Sequence, residues 1–186
     1  MGLQKGHVVD LGASYSEFGS NAKGLIEHRG WSHELYDGAP RPDESDVIKM
    51  WIDIDFRPQK QCDFLSIDLD GNDYWVLEKL LANGIAPALV LAEINPIWPR
   101  HEKRAIKYNK NHVWSNDTYY GMSLGALEAL GHKHGYTLIY VHAGINAFLC
   151  RNDMLAKHPE LLQPIKFAIK FDHKAHAEGR EWTCIE

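Results

Sequence analysis

Along this chain, short apolar runs that stop at acids and glycines alternate with stretches of helical spacing. Residues 7–12, "HVVDLG", have the length of a buried strand and close on Asp10 and Gly12. "SNAKGLIEHRG" follows, with Ser20 placed to cap a helix and Gly30 placed to end it. A second strand, "SHELYDG" over 32–38, again stops at Asp-Gly. "GAPRPDE" reads as a loop, two prolines flanking an arginine. "VIKMWIDI" over 47–54 is a third apolar run, and "CDFLSID" over 62–68 is a fourth and reads as a strand. Residues 72–83 predict a helix, because Tyr74, Leu77, Leu80 and Leu81 recur at helical spacing and Gly84 supplies a stop. "PALVLAEIN" over 87–95 is the fifth strand. A long irregular stretch, 96–121, precedes the helix "MSLGALEALGHKHG", stopped by Gly135. Residues 136–151 hold two apolar runs parted by Ala143-Gly144, the pattern of a β-hairpin. The tail from Asn152 reads as polar and helical at best.

This alternation predicts the α/β class with a mostly parallel sheet. The final pair is the exception, since a tight hairpin has to be antiparallel. At 186 residues the chain is expected to be one domain, with a core over about 7–153 and a polar tail over 154–186.

Composition narrows the function classes. The net charge of −5 argues against general nucleic-acid binding, which needs a basic surface to neutralise phosphates. Cys62, Cys150 and Cys184 lie far apart without a CxxC pair, so reduced thiols in a cytoplasmic protein are expected rather than a disulfide framework or a zinc site. The first residues show no long apolar segment of a secretory leader. No apolar run approaches the roughly 18 to 20 residues of a spanning helix, so no membrane partner is expected.

The acids at the strand ends carry the candidate chemistry. Asp10, Gly12 and Ala13 close the first strand, Asp37 the second, Asp68 and Asp70 the fourth, and Glu93 and Asn95 the fifth. In open α/β sheets ligands bind outside these carboxyl ends. Crowded carboxylates raise each other's pKa, so something positive is expected among them. S-adenosyl-L-methionine, with a sulfonium and an ammonium, is one such ligand. Asp37 would accept from its ribose hydroxyls, with Asp10, Gly12, Ala13 and Asp68 as further cofactor contacts. A hard divalent cation such as Mg²⁺ is the other, with oxygen ligands from Asp68, Asp70, Glu93 and Asn95. Asp68, Asp70 and His142 are the candidate catalytic bases. The bland alternative is turn and cap chemistry: Asp-Gly favours turns, and Asp70 or Asn72 can cap the helix that follows. Asp73, one residue into that helix, is expected to point away. "GASYSEFGSN" fits neither G-x-G-x-x-G nor a P-loop.

"VVDLGASYSEFGSNAKGLIEHRGWSHELYDG", "DFLSIDLDGNDYW", "LVLAEINP" and "GMSLGALEALGHKHGYTLIYVHAGINAFLCRND" resemble FkbM-related class I methyltransferases, over roughly residues 7–153. The block around Asp68 to Trp75 is also similar to a motif of macrocin-type sugar O-methyltransferases. The resemblance implies a Rossmann-like sheet whose last strand turns back, S-adenosyl-L-methionine as methyl donor, and a sugar or small-metabolite hydroxyl as acceptor. It also implies a divalent metal at Asp68 or Asp70 with Glu93 and Asn95. The connection between the second and third strands is short, so the helix usual there is expected to be missing.

Other features keep other classes open. Asp68-Leu69-Asp70 has the DxD form of metal-dependent glycosyltransferases, and a methyltransferase fold without activity would be a binding module. "NPIW" (95–98) is similar to the N-P-P-Y/W motif of nucleic-acid amino-methyltransferases. The basic loop 99–112, with Tyr108, is a candidate substrate contact or lid. Trp75 is a candidate for the pocket wall. His132 and His134 suit a helix C-terminus better than zinc, and His173 and His176 are expected to be tail residues.

Overall fold

The structure, a computed structural model, describes residues 5–13, 20–168 and 179–186; His173 and His176 lie outside them. In chain order the elements are β1 (His7–Leu11), α1 (Lys23–Arg29), β2 (Ser32–Asp37), β3 (Val47–Lys49), β4 (Phe64–Ile67) and α2 (Asp73–Ala82). They continue with β5 (Leu89–Glu93), β6 (Arg104–Ile106), α3 (Leu124–Lys133), β7 (Tyr136–His142), β8 (Asn146–Arg151), α4 (Asn152–Leu155) and β9 (Trp182–Cys184).

Seven strands form one sheet in the order β3-β2-β1-β4-β5-β8-β7. The first five run parallel, while β8 lies antiparallel to both β5 and β7. This is an α/β, Rossmann-like sheet, with the reversed strand inserted beside the fifth, as the sequence pattern predicts. The hairpin turns at Ala143 and Gly144, both at positive φ, and Ile94 N–H donates to Ile145 O at 2.7 Å, fastening that turn to the end of β5.

Sequence and burial agree along the central strands. Every residue of β1 and β4 is buried, as continuous apolar runs in a parallel sheet require. Leu65, Ile67, Val90, Ala92 and Leu149 from the sheet meet Leu77 and Leu80 of α2 and Leu127 and Leu130 of α3 in the main core. Each fully buried leucine there contributes about 1.5–3 kcal/mol. Ser123 caps α3, its hydroxyl accepting from Ala126 N–H at 3.1 Å. Gly30 ends α1 in the left-handed conformation, as its position in the sequence predicts. Ser20 supports the start of α1 from two residues ahead, its Oγ accepting from Ala22 N–H at 3.0 Å. His132 and Lys133 stand in the last turn of α3, where the helix dipole favours positive charge.

Three expectations need correction. The third apolar run is a strand only over Val47–Lys49; β3 is an edge strand, and beyond it Met50 and Trp51 turn outward while Ile52 is buried. The stretch 96–121 is not wholly irregular, and the tail is not merely helical. β6 pairs antiparallel with β9, and Trp182 meets Trp98 and Tyr119 edge-on, each at 5.2 Å between ring centroids. Three-residue strands are too short for a period to show in sequence. No helix joins β2 to β3, in line with the short connection. Among the described residues no helix is long and apolar enough to cross a membrane.

Candidate functional site

The parallel register sets the carboxyl ends of β1, β4 and β5 side by side: Leu11 opposes Ile67, and Ile67 opposes Ala92. Asp68 follows β4 at once and Glu93 ends β5, so the two acids leave the sheet at the same rim. Between them the chain turns sharply. Asp70 adopts φ +53°, and Asp73, the first residue of α2, folds back over the turn. Its Oδ1 accepts from Leu69 N–H at 2.7 Å and its Oδ2 from Gly71 N–H at 2.9 Å. Asp73 is fully buried rather than pointing away, because those two amide donors offset its loss of water. Neither Asp70 nor Asn72 supplies a side-chain cap to α2; the Asn72 amide donates instead to Asn109 O at 2.9 Å.

Asp68, Asp70 and Glu93 each present a carboxylate oxygen within 4.8 Å of the others. Burial is the main force on all three pKa values, and the neighbouring acids add to it. Asp68 is pushed up to about 7 and Glu93 up to about 10. Asp70 is raised by burial and by Asp37, with His112 pulling the other way. Asp68 acts on Glu93 in this way, Asp73 and Asp70 act on both, and Glu93 Oε2 is buried without a hydrogen-bond partner. The Tyr120 phenol is likewise raised, by burial and then by Glu93 and Asp68. An oxygen-only donor set with one orphaned buried oxygen fits a hard divalent ion and disfavours a thiolate-type zinc site.

The other expected residues divide. Asp37 lines the same cavity as Asp68 and Asp70, and its Oδ1 accepts from Ala39 N–H at 2.7 Å. Gly12 also lines it, at φ +83°, but the close approach that demands a glycine is to the chain itself: a Cβ there would lie 1.7 Å from Asp68 O. The N–H groups of Gly12 and Ala13 both donate to Tyr36 O at 2.9 Å, and Ala13 is packed with Val8 and Leu35. Ala13 is fully buried in that packing. Asp10 is 1% exposed and accepts from Ser20 Oγ, holding the segment that leads into α1; burial raises its pKa. Asn95 is engaged within the chain. Its Nδ2 donates to Thr118 O at 2.8 Å and Tyr120 O at 3.0 Å, and its Oδ1 accepts from Ile97 N–H at 3.2 Å. That side chain ties the 118–120 stretch to β5, and with Ile97 and Trp98 buried, "NPIW" is a packed turn rather than a grip on an amino group. His142 is exposed and opposes Asn146, which opposes Glu93; two strand spacings, about 10 Å, part it from the acids.

The cavity beside the acids, about 260 Å³, also brings in His112, the last residue of the basic loop, and three residues that the sequence did not mark: Trp51, Val113 and Trp114. Trp51 lies on Gly38, where a Cβ would come within 2.7 Å of its ring, and it flanks Asp37. In the sequence it is one more member of the apolar run 47–54, which does not set it apart. Trp75 does not line this cavity; its indole N–H donates to Ile106 O at 2.8 Å and so supports β6. A second cavity of about 390 Å³, lined by Leu25, Trp31, Leu91 and Phe148 among others, lacks such a cluster of acids. Chemistry rather than size singles out the candidate site.

No known protein family matches the chain, and no curated protein does. Among solved structures, the chain is similar to a 1,6-didemethyltoxoflavin-N1-methyltransferase from Burkholderia thailandensis with 1,6-didemethyltoxoflavin and S-adenosylhomocysteine bound. That alignment covers 78% of this chain and 69% of the other, at 10% identity and a TM-score of 0.48. TnmH aligns over 78% of this chain and 49% of its own, at 17% identity and a TM-score of 0.48, so this chain spans about half its length. Likenesses of that order say nothing about chemistry, and the fold class rests on the strand order.

Proposed function

We propose that the chain is an S-adenosyl-L-methionine-dependent methyltransferase acting on a hydroxyl of a small molecule. The observation that carries this reading is an acid-lined cavity at the carboxyl ends of β2 and β4 in a sheet of methyltransferase order. Asp37 accepts from the ribose hydroxyls, and Trp51 beside it offers an apolar face to the purine. Asp68 and Asp70 face the sulfonium and ammonium, whose positive charge relieves the crowding of the acids. The acceptor oxygen attacks the methyl carbon, the carbon–sulfur bond breaks toward sulfur, and the hydroxyl proton passes to Asp68, whose raised pKa suits a base near neutrality. Asp68, Asp70 and Glu93 are also the residues that would hold a divalent ion. When bound, such an ion lowers the pKa of a hydroxyl and orients it.

Calorimetry with S-adenosyl-L-methionine and S-adenosylhomocysteine tests the reading. Binding is expected, and Asp37→Ala weakens it by about 1–3 kcal/mol through the lost charged hydrogen bonds. Binding of a UDP-sugar in their place assigns the Asp-Leu-Asp motif to a glycosyltransferase, and binding of no nucleotide makes the chain an inactive module. For the metal, turnover that survives exhaustive chelation and Asp68→Asn removes the ion from the account.

A further inference from the structure

The far lip of the cavity, from His112 to Trp114, neither holds the acids nor flanks Asp37. His112 lies so close to Gly71 that a Cβ there would sit 2.5 Å from its ring, and its Nε2 is buried without a hydrogen-bond partner. A buried polar atom left in that state is costly unless a ligand satisfies it. Beside it Val113 is 68% exposed and Trp114 38%.

These side chains are held from behind. Asn72 Nδ2 donates to Asn109 O at 2.9 Å, and His112 N–H donates to the same carbonyl at 2.9 Å. The Trp114 indole N–H donates to Asp117 O at 2.8 Å, and its ring stands edge-on to Tyr120 at 6.1 Å. With the indole N–H so used, Trp114 offers a ligand only its ring. The lip therefore keeps one unsatisfied nitrogen beneath an apolar surface, against Gly71 and next to the carboxylates.

We propose that this lip recognises the methyl acceptor, and that the acceptor is a planar aromatic ring bearing a hydroxyl. The ring lies against Trp114 and Val113. The imidazole turns off Gly71 as the ring seats, so that Nε2 bonds the hydroxyl and aims it toward Asp68 and Asp70. A sugar would require polar partners around its whole ring, and the lip provides them at one point only. His112 and Trp114 are thus specificity-determining residues, an assignment that rests on the methyltransferase reading.

The test uses the full chain saturated with S-adenosylhomocysteine, whose own binding is first measured by calorimetry. Fluorescence anisotropy then follows 7-hydroxycoumarin, and saturation-transfer NMR follows methyl β-D-glucopyranoside. The coumarin is expected to bind and the glucoside not. His112→Ala and Trp114→Ala each weaken coumarin binding at least tenfold, Trp114→Phe retains most of it, and melting temperatures of all three variants stay near the parent value. Preference for the glucoside, no coumarin binding to the parent chain, or coumarin binding indifferent to both alanine variants overturns the proposal. Failure of S-adenosylhomocysteine to bind is a separate result and counts against the cofactor reading.

Discussion

Asp68 and Glu93 make the folded chain sensitive to pH in an unusual direction. A carboxyl whose pKa is raised by folding binds more protons in the native state than in the unfolded one, so its contribution is complete below the unfolded pKa and is lost as pH rises. For Asp68 that window runs from its ordinary value of 3.8 to about 7, and for Glu93 from 4.5 to about 10. The metal-free protein should therefore lose stability as pH climbs through this range, read as a falling melting temperature. Mg²⁺ or Ca²⁺ should restore more at pH 8 than at pH 5, because only the ionised acids bind it. Glu93→Gln should raise the melting temperature of the metal-free protein at pH 8 by a few degrees, on the scale of about 2–4 °C per kcal/mol, and should abolish the gain from added ion. A parent chain indifferent to divalent ions at both pH values would contradict the ion site. Gly12→Ala is expected to cost at least about 2 kcal/mol in urea denaturation, since it combines a positive φ with a backbone clash against Asp68.

At the scale of elements, much of the fold was legible in the sequence. Strand-length apolar runs ending in acids gave β1, β2, β4 and β5, and the Ala143-Gly144 break gave the hairpin, because buried strands and tight turns leave local signals. The β6–β9 pair left none: it joins two three-residue segments far apart in sequence, held by ring contacts that only the folded chain creates. Site residues divided in the same way. Asp68, Asp70 and Glu93 were visible because each ends or follows a strand. The task of Asn95 depends on carbonyls of Thr118 and Tyr120, and the place of His112 depends on its contact with Gly71, neither of which a local pattern encodes. Trp182→Ala should loosen this second sheet by about 2 kcal/mol, from two lost ring pairs. Hydrogen exchange should then quicken over 104–122 while β4 and β5 keep their protection. Uniform loss across the sheet would show instead that β9 is integral to the main core.

For the molecule as a whole, charge and fold point the same way. The chain carries a net charge of −5, and the rim of its parallel sheet gathers acids. A polyanion approaching that rim meets repulsion, whereas a cationic cofactor is drawn in. Methyl-transfer assays with duplex and single-stranded nucleic acid should therefore be blank, and transfer to an adenine would reverse the choice of acceptor.

The reversed strand has a practical corollary. Because β8 runs against β5, the hairpin turn at 143–145 lies at the same edge of the sheet as Glu93, anchored by the Ile94–Ile145 bond. A peptide grafted between Ala143 and Gly144 would emerge at that edge while both flanking strands kept their pairing. The surroundings of Glu93 are then open to engineering at a place remote from it in sequence, by lengthening one turn and leaving the carboxylates untouched.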